Sequence, residues 1–69
     1  MNKIEGFGDR LLKAIGDKDL SNRKVGALTG IPTSCINLYV NGNQLPNCSN
    51  LVKLAKVLGV STDWLLGVR

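Results

Sequence analysis

Apolar residues along this chain recur at intervals of three and four rather than in alternation, and that period predicts helices throughout. Phe7, Leu11, Leu12 and Ile15 are spaced as one face of a first helix, with Asp9, Arg10 and Lys13 on the other. Gly16 and the following "DKD" predict its end. Ser21 stands where an N-cap belongs, its hydroxyl able to satisfy a free backbone N–H. Val25, Leu28 and Thr29 continue that second helix at helical spacing, and Gly30 closes it. Lys24 rather than Glu holds the third position of the helix, so the reciprocal half of a capping box is missing. Pro32 is placed at the start of a third helix, where its missing N–H costs nothing. Ile36, Tyr39 and Val40 form its inward face, and Asn41 and Gly42 its exit, since both tolerate left-handed backbone. "NGNQLPN" reads as a loop. Leu51, Leu54, Ala55 and Leu58 make a fourth amphipathic helix ended by Gly59. Ser61 caps a last short helix, Thr62 to Leu66, which Gly67 ends. The expectation is one all-α domain over residues 1–69, with five short helices and an N-terminal arm at 1–6.

Composition narrows this picture. At 69 residues a single apolar core supplies only about 3–5 kcal/mol. With one Phe, one Tyr and one Trp, that core must be built mainly from Leu, Ile, Val and Ala. The net charge of +4 and pI near 9.4 suit a polyanionic partner, although solvated surface lysines would give the same totals. The charge is unevenly spread: residues 25–52 contain no Asp, Glu, Lys or Arg.

Several function classes are excluded. There is no histidine and no Cys-x-x-Cys, which rules against a zinc site. Cys35 and Cys48 are expected as reduced, half-buried thiols packing like small apolar residues. No cationic neighbour in the sequence would depress their pKa for redox chemistry. No acid pair at defined spacing and no glycine-rich phosphate loop after a strand is present, so no enzyme, cofactor or small-molecule substrate is expected. Neither a signal peptide nor a membrane span is visible, which places the expected site of action in the cytoplasm.

The informative unit is residues 20–42: a helix, a turn of a few residues holding Gly30, and a second helix. Helices joined so tightly cross at a wide angle, and the second one projects, the arrangement that places a helix N-terminus in the DNA major groove. Gly26 fits the same scheme, because a residue without a side chain lets the two helices approach.

"LSNRKVGALTGIPTSCINLYVNG" followed by "LPNCSNLVKLAKVLGVSTDWLLG" resembles the Cro/C1-type (XRE) helix-turn-helix family of phage repressors and bacterial regulators. The resemblance spans residues 7–67 and is most specific in "LVKLAKVLGVSTDWLLG". It implies a lambda-repressor-like fold and a small phage-type transcriptional regulator in a lysis/lysogeny-like switch, acting on double-stranded operator DNA in a bacterial host cell. By the same resemblance, Thr33, Ser34, Asn37 and Leu38 match the positions that face base edges. Asn22 matches a usual phosphate-binding Gln, while Asn41, Asn43 and Gln44 match the loop that grips the backbone. Arg23 and Lys24 add phosphate-directed charge, and Arg10 adds charge at the flank.

The departures from that pattern open a second reading. Arg, Gln or Lys often fill the base-facing positions in the family, because they reach two acceptors on one base. Here only Asn37 can make a bidentate pair, with adenine, and Leu38 can touch only a thymine methyl. The backbone loop lacks the usual Lys or Arg, which removes part of the counterion-release contribution. An uncharged, partly apolar helix suits a protein interface, and Cys35, Leu38, Val40 and Leu45 are candidates for an exposed apolar patch. In size and bare recognition helix the chain also resembles phage modulators of repression, anti-repressors that act by binding a cognate repressor protein. Trp64, Leu65 and Leu66 read as core closure, with a homodimer face as their other use.

Overall fold

The computed structural model describes residues 6–68, in which five helices and no strand are found. They are α1 (Phe7–Asp17), α2 (Asn22–Thr29), α3 (Thr33–Val40), α4 (Cys48–Leu58) and α5 (Thr62–Leu66). Of the expected N-terminal arm, residues 1–5 lie outside the described residues, and Gly6 is the N-cap of α1. Among the described residues no helix is long and apolar enough to cross a membrane.

Caps define the helix starts as the sequence indicates. Ser21 Oγ accepts from Lys24 N at 3.0 Å and Ser61 Oγ accepts from Trp64 N at 3.0 Å. Asn47 caps α4 in the same way, its Oδ1 accepting from Asn50 N at 2.8 Å. Pro32 is the N-cap of α3 rather than its first helical residue. It needs no N–H there, and its carbonyl accepts from Cys35 N and Ile36 N.

The end of α1 falls within the expected "DKD", but Gly16 does not make it. The helix runs through Gly16 to Asp17 and is stopped by Asp19, a non-glycine residue with left-handed backbone at φ 57°. Asp19 N donates to Gly16 O at 2.9 Å and Leu20 N donates to Ile15 O at 3.1 Å, the paired bonds of a Schellman closure. Leu20 then packs half-buried against the core, the apolar contact that accompanies such an exit.

The core draws on every helix. Phe7, Leu11, Ala14 and Ile15 enter from α1, Val25 from α2, and Ile36 and Tyr39 from α3. Leu54, Ala55 and Leu58 come from α4, Leu65 from α5, and Ile31 from the turn between α2 and α3. α1 lies on α3 and α5, α2 on α3 and α4, and α4 closes on α5. Two expected inward leucines are exposed: Leu12 at 52% and Leu28 at 51%. Each is displaced around its helix from a narrower buried stripe. In α1 the stripe is Phe7, Leu11, Ala14 and Ile15, and in α2 it is Val25, Gly26 and Thr29. At the C-terminal helix only Leu65 is fully buried, with Trp64 and Leu66 half-buried around it.

Arg10 has a structural task. Its Nε donates to Leu65 O at 2.9 Å, holding α1 to the last turn of α5, where a cation also meets the negative end of the helix dipole. The guanidinium lies over Gly67 and Gly6, where a Cβ would fall within 2.6 Å and 2.7 Å of its nitrogens. Arg10 is thus committed to the α1–α5 joint.

The left-handed Asp19 gives a stability prediction. A side chain in this backbone region is strained by its Cβ, and glycine is not. Asp19→Gly should raise unfolding free energy by about 0.5–1 kcal/mol, read as a higher urea midpoint with unchanged m value. An unchanged or lower midpoint would contradict this account of the α1 exit.

Candidate nucleic-acid interface

The site is built at the crossing of α2 and α3. Gly26 is buried where α2 meets the start of α3. A Cβ there would lie 2.8 Å from Ile31 O and 3.1 Å from Thr33 Oγ1, closer than ordinary packing allows. The turn itself is held by Thr29. Its hydroxyl donates to Val25 O at 2.7 Å and accepts from Ile31 N at 3.2 Å, tying the end of α2 to the middle of the three-residue connection. Ile31 inserts into the core and Pro32 redirects the chain into α3. At the far end α3 leaves through Gly42, at φ 77°, with Asn43 N donating to Leu38 O at 2.9 Å. There Tyr39 OH accepts from Asn50 Nδ2 at 3.2 Å, linking α3 to the first turn of α4.

The expected base-facing residues do not all lie alike. Ser34, Asn37 and Leu38 are exposed and form the outward row of α3, Leu38 at 39%. Thr33 is half-buried, and its hydroxyl packs against α2 at Gly26. Among the expected phosphate-directed residues, Arg23 and Lys24 are exposed on the first turn of α2, and Asn41, Asn43 and Gln44 are exposed around the exit of α3. Asn22 is half-buried and reaches across to α3: its Nδ2 donates to Asn37 Oδ1 at 2.8 Å.

The expected apolar patch is corrected. Cys35, Val40 and Leu45 are half-buried and packed against the core, which leaves Leu38 as the exposed member of that set. Packing against the core within the domain leaves these three only partly accessible. Cys48 is corrected as well: it is the exposed first residue of α4, not a half-buried packing residue, while Cys35 is half-buried as expected.

The outward row itself is uncharged. α3 and the loop after it carry no charged residue, and the cations next to them in sequence are Arg23 and Lys24 on α2. Both sit in the first turn of a helix, whose free N–H groups also favour an anion. The surface therefore pairs a small positive corner with a neutral row that can donate, accept and make one apolar contact.

Comparison with known proteins follows this geometry. The helix-turn-helix family model matches residues 11–65, which covers α2 and α3 and most of the fold. The chain belongs to the XRE-type helix-turn-helix family. It is 38% identical over 60 residues to YonR, an SPbeta prophage-derived uncharacterized HTH-type transcriptional regulator of Bacillus subtilis (strain 168). That match covers 87% of this chain, and the chain spans 56% of the length of that relative. The crystal structure of the restriction-modification controller protein C.AhdI from Aeromonas hydrophila superposes with a TM-score of 0.83 at 27% identity, covering 90% of this chain and 94% of that one. The helices read from the sequence as the family's α2 and α3 are the ones that cross at Gly26 in this XRE-type domain.

Two features of the domain went unread in the sequence. Asn47 as a cap had a signal, since "NCSN" precedes an apolar helical run as an N-cap residue should. The Asn22–Asn37 bond had none, because its partners are 15 positions apart and meet only through the crossing angle.

The crossing gives its own prediction. Ala at position 26 would gain helix propensity of about 1 kcal/mol but would drive its methyl into Ile31 O and Thr33 Oγ1. Gly26→Ala should therefore destabilise the domain by a net of about 1–3 kcal/mol, seen as a lower thermal midpoint. A gain in stability would show that the helices do not depend on this contact.

Proposed function

We propose that this XRE-type domain is a small transcriptional regulator that binds operator DNA through α2 and α3 and works in a phage-type genetic switch. The observation that carries this reading is the exposed row Ser34, Asn37 and Leu38 on a helix packed against α2 at Gly26, with Arg23 and Lys24 exposed on the first turn of α2. Membership of the helix-turn-helix family and similarity to a prophage-derived transcriptional regulator support it.

The chemistry divides between the two helices. Arg23 and Lys24 meet phosphates and supply affinity without sequence information. Asn41, Asn43 and Gln44 add neutral hydrogen bonds to the backbone from the exit of α3. Asn37 pairs with the N7 acceptor and N6 donor of an adenine, and Leu38 lies against a thymine methyl. Thr33 fixes the entry of α3, and Ser34 accepts or donates at a neighbouring base. Two copies of the domain would place two such rows on successive major grooves.

A second reading is favoured by one observation, the absence of charge from residues 25–52. A neutral row centred on Leu38 fits a protein surface as well as a base edge, so an anti-repressor acting on a cognate repressor is the competing function. A gel-shift on candidate operator DNA, with this protein alone and with a neighbouring repressor, separates the two. A shift by the protein alone supports operator binding. A change that requires both proteins, and that Leu38→Asp abolishes while helical content is kept, supports the anti-repressor instead.

Operator binding makes a quantitative prediction. With Arg23 and Lys24 as the cationic phosphate contacts of each of two copies, log affinity should fall against log salt with a slope of roughly −3 to −4. Lys24→Ala should weaken binding to specific and random duplexes alike and flatten that slope by about 1 per copy. Asn37→Ala should leave the slope unchanged and reduce the specific-over-random ratio by about 5–100-fold. Fluorescence anisotropy titrations over a range of salt measure all three. Equal losses on specific and random DNA for Asn37→Ala would contradict the base-reading assignment.

A further inference from the structure

A second close glycine contact lies at the far end of α3. Gly8, buried in the first turn of α1, has no room for a side chain: a Cβ there would overlap Val40 O and lie 3.1 Å from Tyr39 O. These are the last two carbonyls of α3. We infer that Gly8 is a positioning residue for the α3 exit: by seating α1 on these carbonyls, it sets where Asn41, Asn43 and Gln44 are held against the DNA backbone. The inference rests on the reading of that loop as a phosphate contact.

The path from Gly8 to the loop is short. Carbonyls at a helix C-terminus have no partner further along the helix, so what lies against them decides where they point. Tyr39 O, which faces Gly8, accepts from Gly42 N at 3.1 Å. One residue earlier, Leu38 O accepts from Asn43 N at 2.9 Å. A methyl pressed against Tyr39 O and Val40 O therefore acts on the two bonds that fold the exit back onto α3. The body of the helix has less freedom to yield. Ile36 and Tyr39 are buried in the core, and Tyr39 OH accepts from Asn50 Nδ2 at 3.2 Å.

α1 is itself held in this seat. Two residues after Gly8, Arg10 Nε donates to Leu65 O at 2.9 Å, and its guanidinium lies over Gly6 and Gly67. Electrostatics favours the same arrangement. The positive N-terminal end of α1 meets the negative C-terminal end of α3, while Arg10 meets that of α5. The first turn of α1 thus joins the ends of two other helices.

The loop side chains are neutral and face the DNA backbone in this reading. A misplaced exit should therefore cost affinity and leave sequence preference and salt dependence alone. Three variants test this. Gly8→Ala inserts the methyl. Gly16→Ala makes the same change in the same helix, where a Cβ meets nothing within 4 Å, and so controls for helix propensity. Arg10→Lys keeps the cation but loses the Nε donor and the planar fork, and it carries the test if Gly8→Ala does not fold. Each is titrated by fluorescence anisotropy against a duplex enriched from a randomised library and against random duplex, with helical circular dichroism as the check on folding. Each is then repeated in a background carrying Asn41→Ala, Asn43→Ala and Gln44→Ala.

Gly8→Ala should weaken binding to both duplexes roughly 3–10-fold and Arg10→Lys about 2–5-fold, with the enriched-over-random ratio and the salt slope of wild type. Gly16→Ala should bind as wild type does. In the loop-alanine background both losses should shrink to within about 1.5-fold, the non-additivity of groups that act through one another. The positioning role is overturned if the folded variants bind like wild type, if their losses persist undiminished in that background, or if Gly16→Ala matches Gly8→Ala. A fall in the enriched-over-random ratio also overturns it, because the contact would then set the outward row of α3 rather than its exit. If the loop-alanine protein binds random duplex as tightly as wild type, the loop does not touch DNA, and this inference falls with that reading.

Discussion

The constraint on which this domain depends is the contact between α2 and α3 at Gly26. No Cβ fits there, because Ile31 O and Thr33 Oγ1 occupy the space. Thr29 adds the second restraint by bonding both backward into α2 and forward to Ile31. Together they fix the turn, and the turn fixes where α3 points. Ile36 and Tyr39 then face the core, which forces Ser34, Asn37 and Leu38 outward on the opposite side of the same helix. Core packing and surface presentation are thus two faces of one short element.

The energetic character of the surface follows from what that element lacks. Ionic contacts supply most non-specific affinity for DNA, and this domain concentrates its nearby cations in Arg23 and Lys24. The net charge of the chain is a poor guide to this. Arg10 contributes to it while bound to the last turn of α5, and Lys13 pairs with Asp17 at 3.2 Å on the outer face of α1. On the proposed reading, discrimination would rest on the geometry of a few neutral groups.

Much of the fold was legible because its punctuation is local. Ser21, Ser61, Gly30, Gly59 and Gly67 each act within a single turn, and the helices begin and end beside them. The residue that stops α1 within "DKD" was not, because Asp19 takes a left-handed conformation that glycine usually signals, while Gly16 sits in regular helix. Leu12 and Leu28 misled for a related reason. Helical spacing identifies an apolar stripe but not its width, and the width is set by how closely neighbouring helices approach.

The helix that carries the candidate site was legible in outline through Pro32 and the Asn41-Gly42 exit. Its finer arrangement depended on tertiary contacts: Thr33 turned onto Gly26, Cys35, Val40 and Leu45 taken up by the core, and Asn22 bonded to Asn37. The central claim, that the outward row of α3 meets DNA, is tested most directly by titrating the isotope-labelled protein with duplex DNA and following its amide resonances by NMR. The account predicts that the Asn37 side-chain amide, the Ser34 and Leu38 backbone amides and the first turn of α2 shift together and saturably. Shifts confined to other helices, with the α3 row unmoved, would contradict it.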